Sequence, residues 1–251
     1  MAETASRTST TFPPGRRAGR DLRWWPVAAV VLYALALVLG LWAKGSGRFS
    51  GELGWDIALS HDRSGPLTAG ALWINTALQP AGGVVILGAA CLLLWSRRGL
   101  HTALAFGSTA CAAWLPAAMG KVLIDRPRPP LTVTHALVPE LGTDSFPSGH
   151  TELAAALVLA AVLVIATTAR HRLLIGVAGG VFVLVVAASR LYLGVHYPSD
   201  VLGSLLVATA GALLWTWLWR GWIGPWLHER FPQLAVAPGT RVDTLTGGRH
   251  V

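Results

Sequence analysis

The chain has 251 residues, of which 53% are hydrophobic and only 13% charged, and its mean hydropathy is +0.53. Water-soluble domains carry about a quarter charged residues, so this composition excludes an ordinary soluble domain and points to a membrane protein. The formal charge is +8, but the arginines that dominate it stand in short clusters between apolar runs. They form no single basic face, so no nucleic-acid partner is expected.

The chain opens with a Ser/Thr/Arg-rich stretch containing Pro13 and Pro14, and residues 1–22 are expected to be a disordered cytoplasmic tail. A cleaved signal peptide is not expected, because the first apolar run starts late, is long and lacks a small-residue cleavage site. A spanning helix needs about 20 mostly apolar residues. Such runs occur at Trp24–Ala43, Ala77–Trp95, Thr102–Ile124, Thr151–Thr168, Leu173–Tyr192 and Val201–Trp219. The expected architecture is therefore all-α: a polytopic membrane helical bundle with about six transmembrane helices at 23–222, followed by a cytoplasmic tail at 223–251. Between the first two runs, Trp55–Thr76 carries Asp56, His61, Asp62, Arg63, Pro66 and Asn75, which predicts an interfacial helix or re-entrant loop. Cys91 and Cys111 lie in apolar runs and are expected to be buried small hydrophobes rather than a disulfide.

Lys and Arg in alternate loops set the orientation. One side holds Arg7, Arg16, Arg17, Arg20, Arg23, Arg97, Arg98, Arg170, Arg172, Arg220, Arg230, Arg241 and Arg249. The other holds Lys44, Arg48, Arg63, Lys121, Arg126, Arg128 and Arg190. The larger set predicts the cytoplasmic side, with both termini there and the chain in the cell (cytoplasmic) membrane. Cations kept on the disfavoured outer side predict an anionic ligand.

Polar residues gather at the outer ends of the last four spans. Lys121 to Pro129 closes the third, Pro147-Ser148-Gly149-His150 opens the fourth, and Ser189 to Asp200 joins the fifth to the sixth. Lys121, Arg128 and Arg190 offer three cations, and the planar arginine fork suits phosphate oxygens. The Pro-Ser-Gly-His turn feeds a helix whose free N–H groups attract an anion. There Gly149 permits close backbone approach, and Ser148 either caps the helix or contacts the phosphate. His150 and His196 titrate near neutrality, and Asp200, four residues after His196, is placed to fix its tautomer. Together they predict phosphoryl transfer to His196, supported by Asp200, with His150 as proton donor and then base. The arginines and lysine take the electrostatic role, so neither a metal nor another cofactor is expected.

These residues resemble the type 2 phosphatidic acid phosphatase superfamily, whose soluble relatives are the vanadium haloperoxidases. The family pattern is Lys-x6-Arg-Pro, Pro-Ser-Gly-His and Ser-Arg-x5-His-x3-Asp. Lys121, Arg128 and Pro129 match the first element, Pro147–His150 the second, and Ser189, Arg190, His196 and Asp200 the third. The resemblance covers roughly Gly83 to Trp219 and implies a six-span helical core with His196 as nucleophile. It also implies a lipid phosphate substrate, such as undecaprenyl diphosphate, phosphatidylglycerol phosphate or phosphatidic acid. Arg126-Pro127 is a second Arg-Pro pair, which makes Arg126 a candidate phosphate contact ranked behind Arg128. Two rival readings remain: a serine hydrolase built on Ser148, and a non-enzymatic lipid transporter. Glu152 is expected to tune His150 or to sit at an interface, and Glu140 and Asp144 are expected to be solvated. Ser189 either joins the site or shapes a helix end. Asn75 is expected to pack, with a role along a lipid's path as the alternative. The sequence carries no signal of oligomeric state.

Overall fold

The computed structural model describes residues 22–47, 50–139, 142 and 144–232. The tails expected at 1–22 and 223–251 therefore lie largely outside the described residues, as do Arg48 and Glu140. In chain order the helices are α1 (Trp25–Gly45), α2 (Leu53–His61), α3 (Gly65–Leu78), α4 (Pro80–Arg98), α5 (Leu100–Trp114) and α6 (Pro116–Ile124). They continue with α7 (Leu131–Thr134), α8 (Gly149–Ala160), α9 (Ala169–Tyr192), α10 (Pro198–Leu218) and α11 (Gly224–Arg230). A π-helical turn at Ala161–Ile165 extends α8, and another at Trp219–Ile223 joins α10 to α11. Proline stands in the first turn of α1, α4, α6 and α10, where its missing N–H has no intrahelical partner to lose.

Five helical stretches are long and apolar enough to cross a membrane: Trp25–Gly45, Pro80–Arg98, Leu100–Ile124, Ala169–Tyr192 and Pro198–Arg230. The chain is a multi-pass membrane protein. The sixth expected span is the shorter helix Gly149–Ile165, which at 1.5 Å per residue reaches about 25 Å. It begins buried, with every residue from His150 to Ala156 enclosed. As its charges predicted, the stretch from Trp55 to Thr76 does not span; it forms most of α2 and α3.

Helix α10 packs against α1, α5 and α8, and α8 packs against α5, α9 and α10. The contact faces are built from small residues: Ala29, Ala36, Gly40 and Ala43 on α1, and Ala154, Ala155, Ala156 and Ala160 on α8. Lipid offers no hydrophobic drive between helices, so association relies on close van der Waals contact that small residues permit. Gly211 shows the tolerance, since a Cβ there would lie 2.2 Å from the Ala112 carbonyl oxygen. Large apolar side chains such as Val30, Val38, Leu92, Val122 and Leu184 are exposed on the outside, where a bilayer covers them. Cys91 and Cys111 are half-buried and free, and form no disulfide.

Candidate active site

Three segments distant in sequence meet at one end of the bundle. Helix α6 ends at Asp125, a non-glycine residue in the left-handed region (φ 48°), whose N–H donates to the Lys121 carbonyl at 2.9 Å. This left-handed stop breaks the helix and sends Arg126 inward. Pro127 then bridges to Asp144, and the Ser145 N–H donates to the Arg126 carbonyl at 2.7 Å. The loop after α6 is thus tied to the loop that leads into α8.

Phe146 anchors the second loop from below. Its ring fills a socket left by two glycines: a Cβ on Gly40 would lie 2.8 Å from that ring, and one on Gly203 2.3 Å from it. The following turn is pinned to α10, because the Ser148 N–H donates to the Asp200 carbonyl at 3.3 Å. Ser204 Oγ contributes as well, lying 2.9 Å from the Ser148 carbonyl and 2.8 Å from that of Asp200. The entrances of α8 and α10 therefore move as one body.

A cavity of 180 Å³ opens between these segments, lined by Lys121, Arg128, Gly149, His150, His196 and Asn75 among others. His196 Nδ1 stands 3.3 Å from Asp200 Oδ2. A carboxylate only accepts, so Nδ1 carries the proton and Nε2 keeps its lone pair. Arg128 Nη1 lies 3.3 Å from that Nε2 and also donates to the Val195 carbonyl at 2.9 Å. On the opposite wall, His150 Nε2 is 3.1 Å from the Asn75 carbonyl oxygen, so this nitrogen is the protonated one. The Asn75 side chain accepts from Arg190 Nη1 at 2.7 Å. Lys121 Nζ reaches Asp144 twice, at 2.9 Å to its carbonyl and 3.1 Å to its carboxylate.

Several residues stand behind the wall. Asp200 is fully buried beneath His196, and Arg190 is fully buried behind Asn75. Ser148 occupies the N-cap position of α8 without a side-chain cap bond. Its buried hydroxyl accepts from Thr151 Oγ1 at 3.2 Å and stands outside the cavity lining. Ser189 Oγ donates back to the Val186 carbonyl at 2.6 Å, shaping its helix end. Glu152 is wholly buried, not interfacial. Asp144, expected to be solvated, pairs with Lys121 instead. Burial opposes its ionised form, but the charge and hydrogen bond of Lys121 hold its carboxyl below the usual range.

The other described cations of the set that holds Lys121 and Arg128 have other partners. Lys44 stands 3.9 Å from Asp125. Arg63 donates to the carbonyls of Tyr192, His135 and Thr134, which staples the α2–α3 connection to the end of α9. Arg126 does not line the cavity. Its Nη1 reaches Asp200 Oδ1 at 2.7 Å and Ser199 Oγ at 2.6 Å, its Nη2 reaches Glu52 Oε2 at 2.8 Å, and its fork lies 3.9 Å from the Tyr197 ring centre. Glu52 and Ser199 are partners that motif spacing does not reveal; an acid just before a short polar helix was the available signal. Asp56, one turn beyond Glu52, is buried with neither carboxylate oxygen bonded among the described residues. Burial, followed by repulsion from Asp200 and Glu52, pushes its carboxyl up to about 8.

Among the described residues no three His, Cys, Asp or Glu side chains converge as a metal site requires. The arrangement presents a lone-pair imidazole nitrogen, a protonated imidazole across a small cavity, and cations beside both. Such a set can hold a tetrahedral oxyanion and exchange a proton with it.

Known proteins share this framework. The chain is 43% identical over 83 residues to the undecaprenyl-diphosphatase BcrC of Bacillus subtilis, covering 33% of this chain and 39% of that protein. It is 39% identical over 87 residues to the putative undecaprenyl-diphosphatase YbjG of Escherichia coli, covering 35% and 40%. The matches thus span about two fifths of each curated relative. The crystal structure of a transmembrane PAP2-type phosphatidylglycerolphosphate phosphatase from Bacillus subtilis aligns with a TM-score of 0.56 at 22% identity, covering 83% of this chain and 98% of that one, which shows the same fold. The PAP2 superfamily model matches residues 98–223, half of the chain and the part that holds the convergent loops, and the chain belongs to that superfamily.

Proposed function

We propose that the chain is a lipid phosphatase that works through a phosphohistidine on His196, with no metal. The observation that carries this reading is the pair of imidazoles lining one cavity: His196 with its Nδ1 proton on Asp200 and its Nε2 lone pair beside Arg128, and His150 with its Nε2 proton on the Asn75 carbonyl. Phosphate oxygens sit between Lys121 and Arg128, with Arg190 acting through Asn75 and the Gly149 N–H at the start of α8 completing the cradle. Ser148 shapes that turn from behind.

The bonds balance in two steps. His196 Nε2 attacks phosphorus as the bond to the lipid oxygen breaks, and that oxygen takes a proton from His150, which enters the step as the imidazolium and leaves it as the neutral ring. A water then gives its proton to His150 and attacks the phosphohistidine, which releases phosphate and restores both rings. Charge on the equatorial oxygens is balanced by the cations throughout.

The phosphatase domain is 23–222, flanked by tails at 1–22 and 223–251. Arg23, Arg97, Arg98, Arg170, Arg172, Arg220 and Arg230 support a cytoplasmic location for the end opposite the cavity. That puts the site at the outer face of the cytoplasmic membrane, with both termini inside. The substrate is a lipid phosphate or diphosphate: undecaprenyl diphosphate, phosphatidylglycerol phosphate or phosphatidic acid. The likeness to an undecaprenyl-diphosphatase and to a putative one favours the first.

Phosphate release by purified protein from these three lipids, with and without EDTA and alongside His196→Ala, tests the reading. We expect activity that survives EDTA and disappears in the variant. Activity that needs a divalent ion, or that persists without the imidazole, overturns it.

A further inference from the structure

We propose that Arg126 is a positioning residue that couples the docking of the surface helix α2 to the geometry of the His196–Asp200 pair. This rests on the phosphatase reading and adds a residue that the reading itself does not use.

The argument starts from how the Asp200 oxygens are divided. Oδ2 serves His196 Nδ1 at 3.3 Å and the Tyr197 N–H at 2.9 Å. Oδ1 is held by Arg126 Nη1 at 2.7 Å. With one oxygen fixed by the guanidinium, the carboxylate cannot rotate away from the imidazole. Arg126 is 1% exposed and lies face-on to Tyr197, so it has one orientation. The same fork reaches the other way, to Glu52 Oε2 at 2.8 Å.

Glu52 is the residue that begins α2, and it does more than pair with Arg126. Its two oxygens accept the Ser199 N–H and the Ser199 hydroxyl, each at 2.8 Å. The first turn of α10, which carries Asp200, is thereby clasped by a residue of a helix that does not span the membrane. Glu52, Arg126 and Ser199 form a closed ring of short bonds with Asp200 held from it by Arg126, and Glu52 is the member that reaches the surface, at 18% side-chain exposure. When α2 is docked, Asp200 is locked; when α2 lifts, Arg126 loses its second acid and the lock loosens. Lysine could not replace this function, because a single ammonium cannot span three acceptors set in different directions.

Arg128, two residues later, differs in kind because it lines the cavity. The two arginines therefore give opposite kinetic signatures. In purified protein reconstituted in lipid nanodiscs, Arg126→Lys and Glu52→Gln are expected to lower kcat about 10- to 100-fold while KM stays within about threefold. Competitive inhibition by inorganic phosphate, the probe for ground-state phosphate binding, is expected to hold within about the same factor. Arg128→Lys is expected to raise KM and weaken phosphate inhibition about 10-fold or more. The double variant Glu52→Gln/Arg126→Lys should cost little more than Arg126→Lys alone, as members of one unit do. A general loss of packing would not separate kcat from KM and phosphate inhibition in this way. If Arg126→Lys does not fold, Glu52→Gln and Ser199→Ala carry the same test.

The proposal is overturned if Arg126→Lys weakens inhibition by inorganic phosphate as Arg128→Lys does, if Glu52→Gln leaves kcat unchanged, or if the two losses simply multiply. A wild-type chain that releases no phosphate from any lipid overturns the phosphatase reading itself, and this inference falls with it.

Discussion

The two walls of the cavity hold their histidines by different means. The His196 wall is charged and sealed: the ring rests on Asp200, Asp200 on Arg126, and Arg126 on Glu52, all buried or nearly so. The His150 ring instead meets a main-chain carbonyl, that of Asn75, at 3.1 Å. A carboxylate beneath an imidazole fixes its tautomer and stabilises the cation it becomes. A carbonyl holds a proton without adding to its affinity by a full charge, so that proton can leave. One wall suits a nucleophile and the other a proton carrier.

The largest effect should come from the charged wall. His196→Ala removes the nitrogen proposed to attack phosphorus and is expected to reduce kcat by at least about 10⁴-fold, read as phosphate release in detergent or nanodiscs. His150→Asn, on the other wall, should cost about 10²- to 10⁴-fold, the usual range for a general acid–base group. The two walls separate cleanly with an aryl phosphate whose leaving group needs no proton. The burst of aryl alcohol should largely recover in His150→Asn and stay absent in His196→Ala. Equal bursts in the two variants would break the division of labour.

A smaller effect is expected at Asn75. Replacing it by alanine keeps the main-chain carbonyl for His150 but takes away the acceptor of Arg190 Nη1. A lost hydrogen bond to a charged group corresponds to about 1.5–3 kcal/mol, so KM should rise about 10- to 100-fold if all of it is felt in phosphate binding. kcat should change little. A fall in kcat with constant KM would mean that Asn75 works through His150 instead.

Much of this site was legible from spacing, and the limits of that legibility are instructive. Apolar run length located the spans, because the bilayer imposes one length on every crossing helix. It overstated α8, whose buried start and π-helical end depend on neighbours that no local window contains. The three motifs came together as expected, since each lies at the same end of its span. Spacing ranked Arg128 ahead of Arg126 but could not say what Arg126 does instead. Both precede a proline two residues apart, and only the left-handed Asp125 and the bridge to Asp144 turn one toward Asp200 and leave the other at the cavity. Asn75 and Glu52 were missed as site components because they lie about 74 to 147 residues from their partners. Nothing in a short polar stretch says which carboxylate will meet which arginine.

The charged wall also has a limit on how much negative charge it holds, and Asp56 marks it. Glu52, Asp56 and Asp200 face Arg126 together, and Asp56 alone lacks a bonded partner among the described residues. Its carboxyl is pushed up to about 8 from 3.8, so the folded chain holds a proton there that the unfolded chain releases. Stability from that proton is complete below about pH 4 and is lost progressively as pH rises toward about 8. The melting temperature of the wild-type chain should therefore fall between pH 5 and 8 more steeply than that of Asp56→Asn. By pH 8 the variant should melt a few degrees higher, at roughly 2–4 °C per kcal/mol for a chain of this size. Parallel melting profiles would show that Asp56 is ionised throughout and that the wall tolerates a third carboxylate. Converging profiles at acid pH and diverging ones at alkaline pH would show that it holds two, and that docking of α2 over the site weakens as the third ionises.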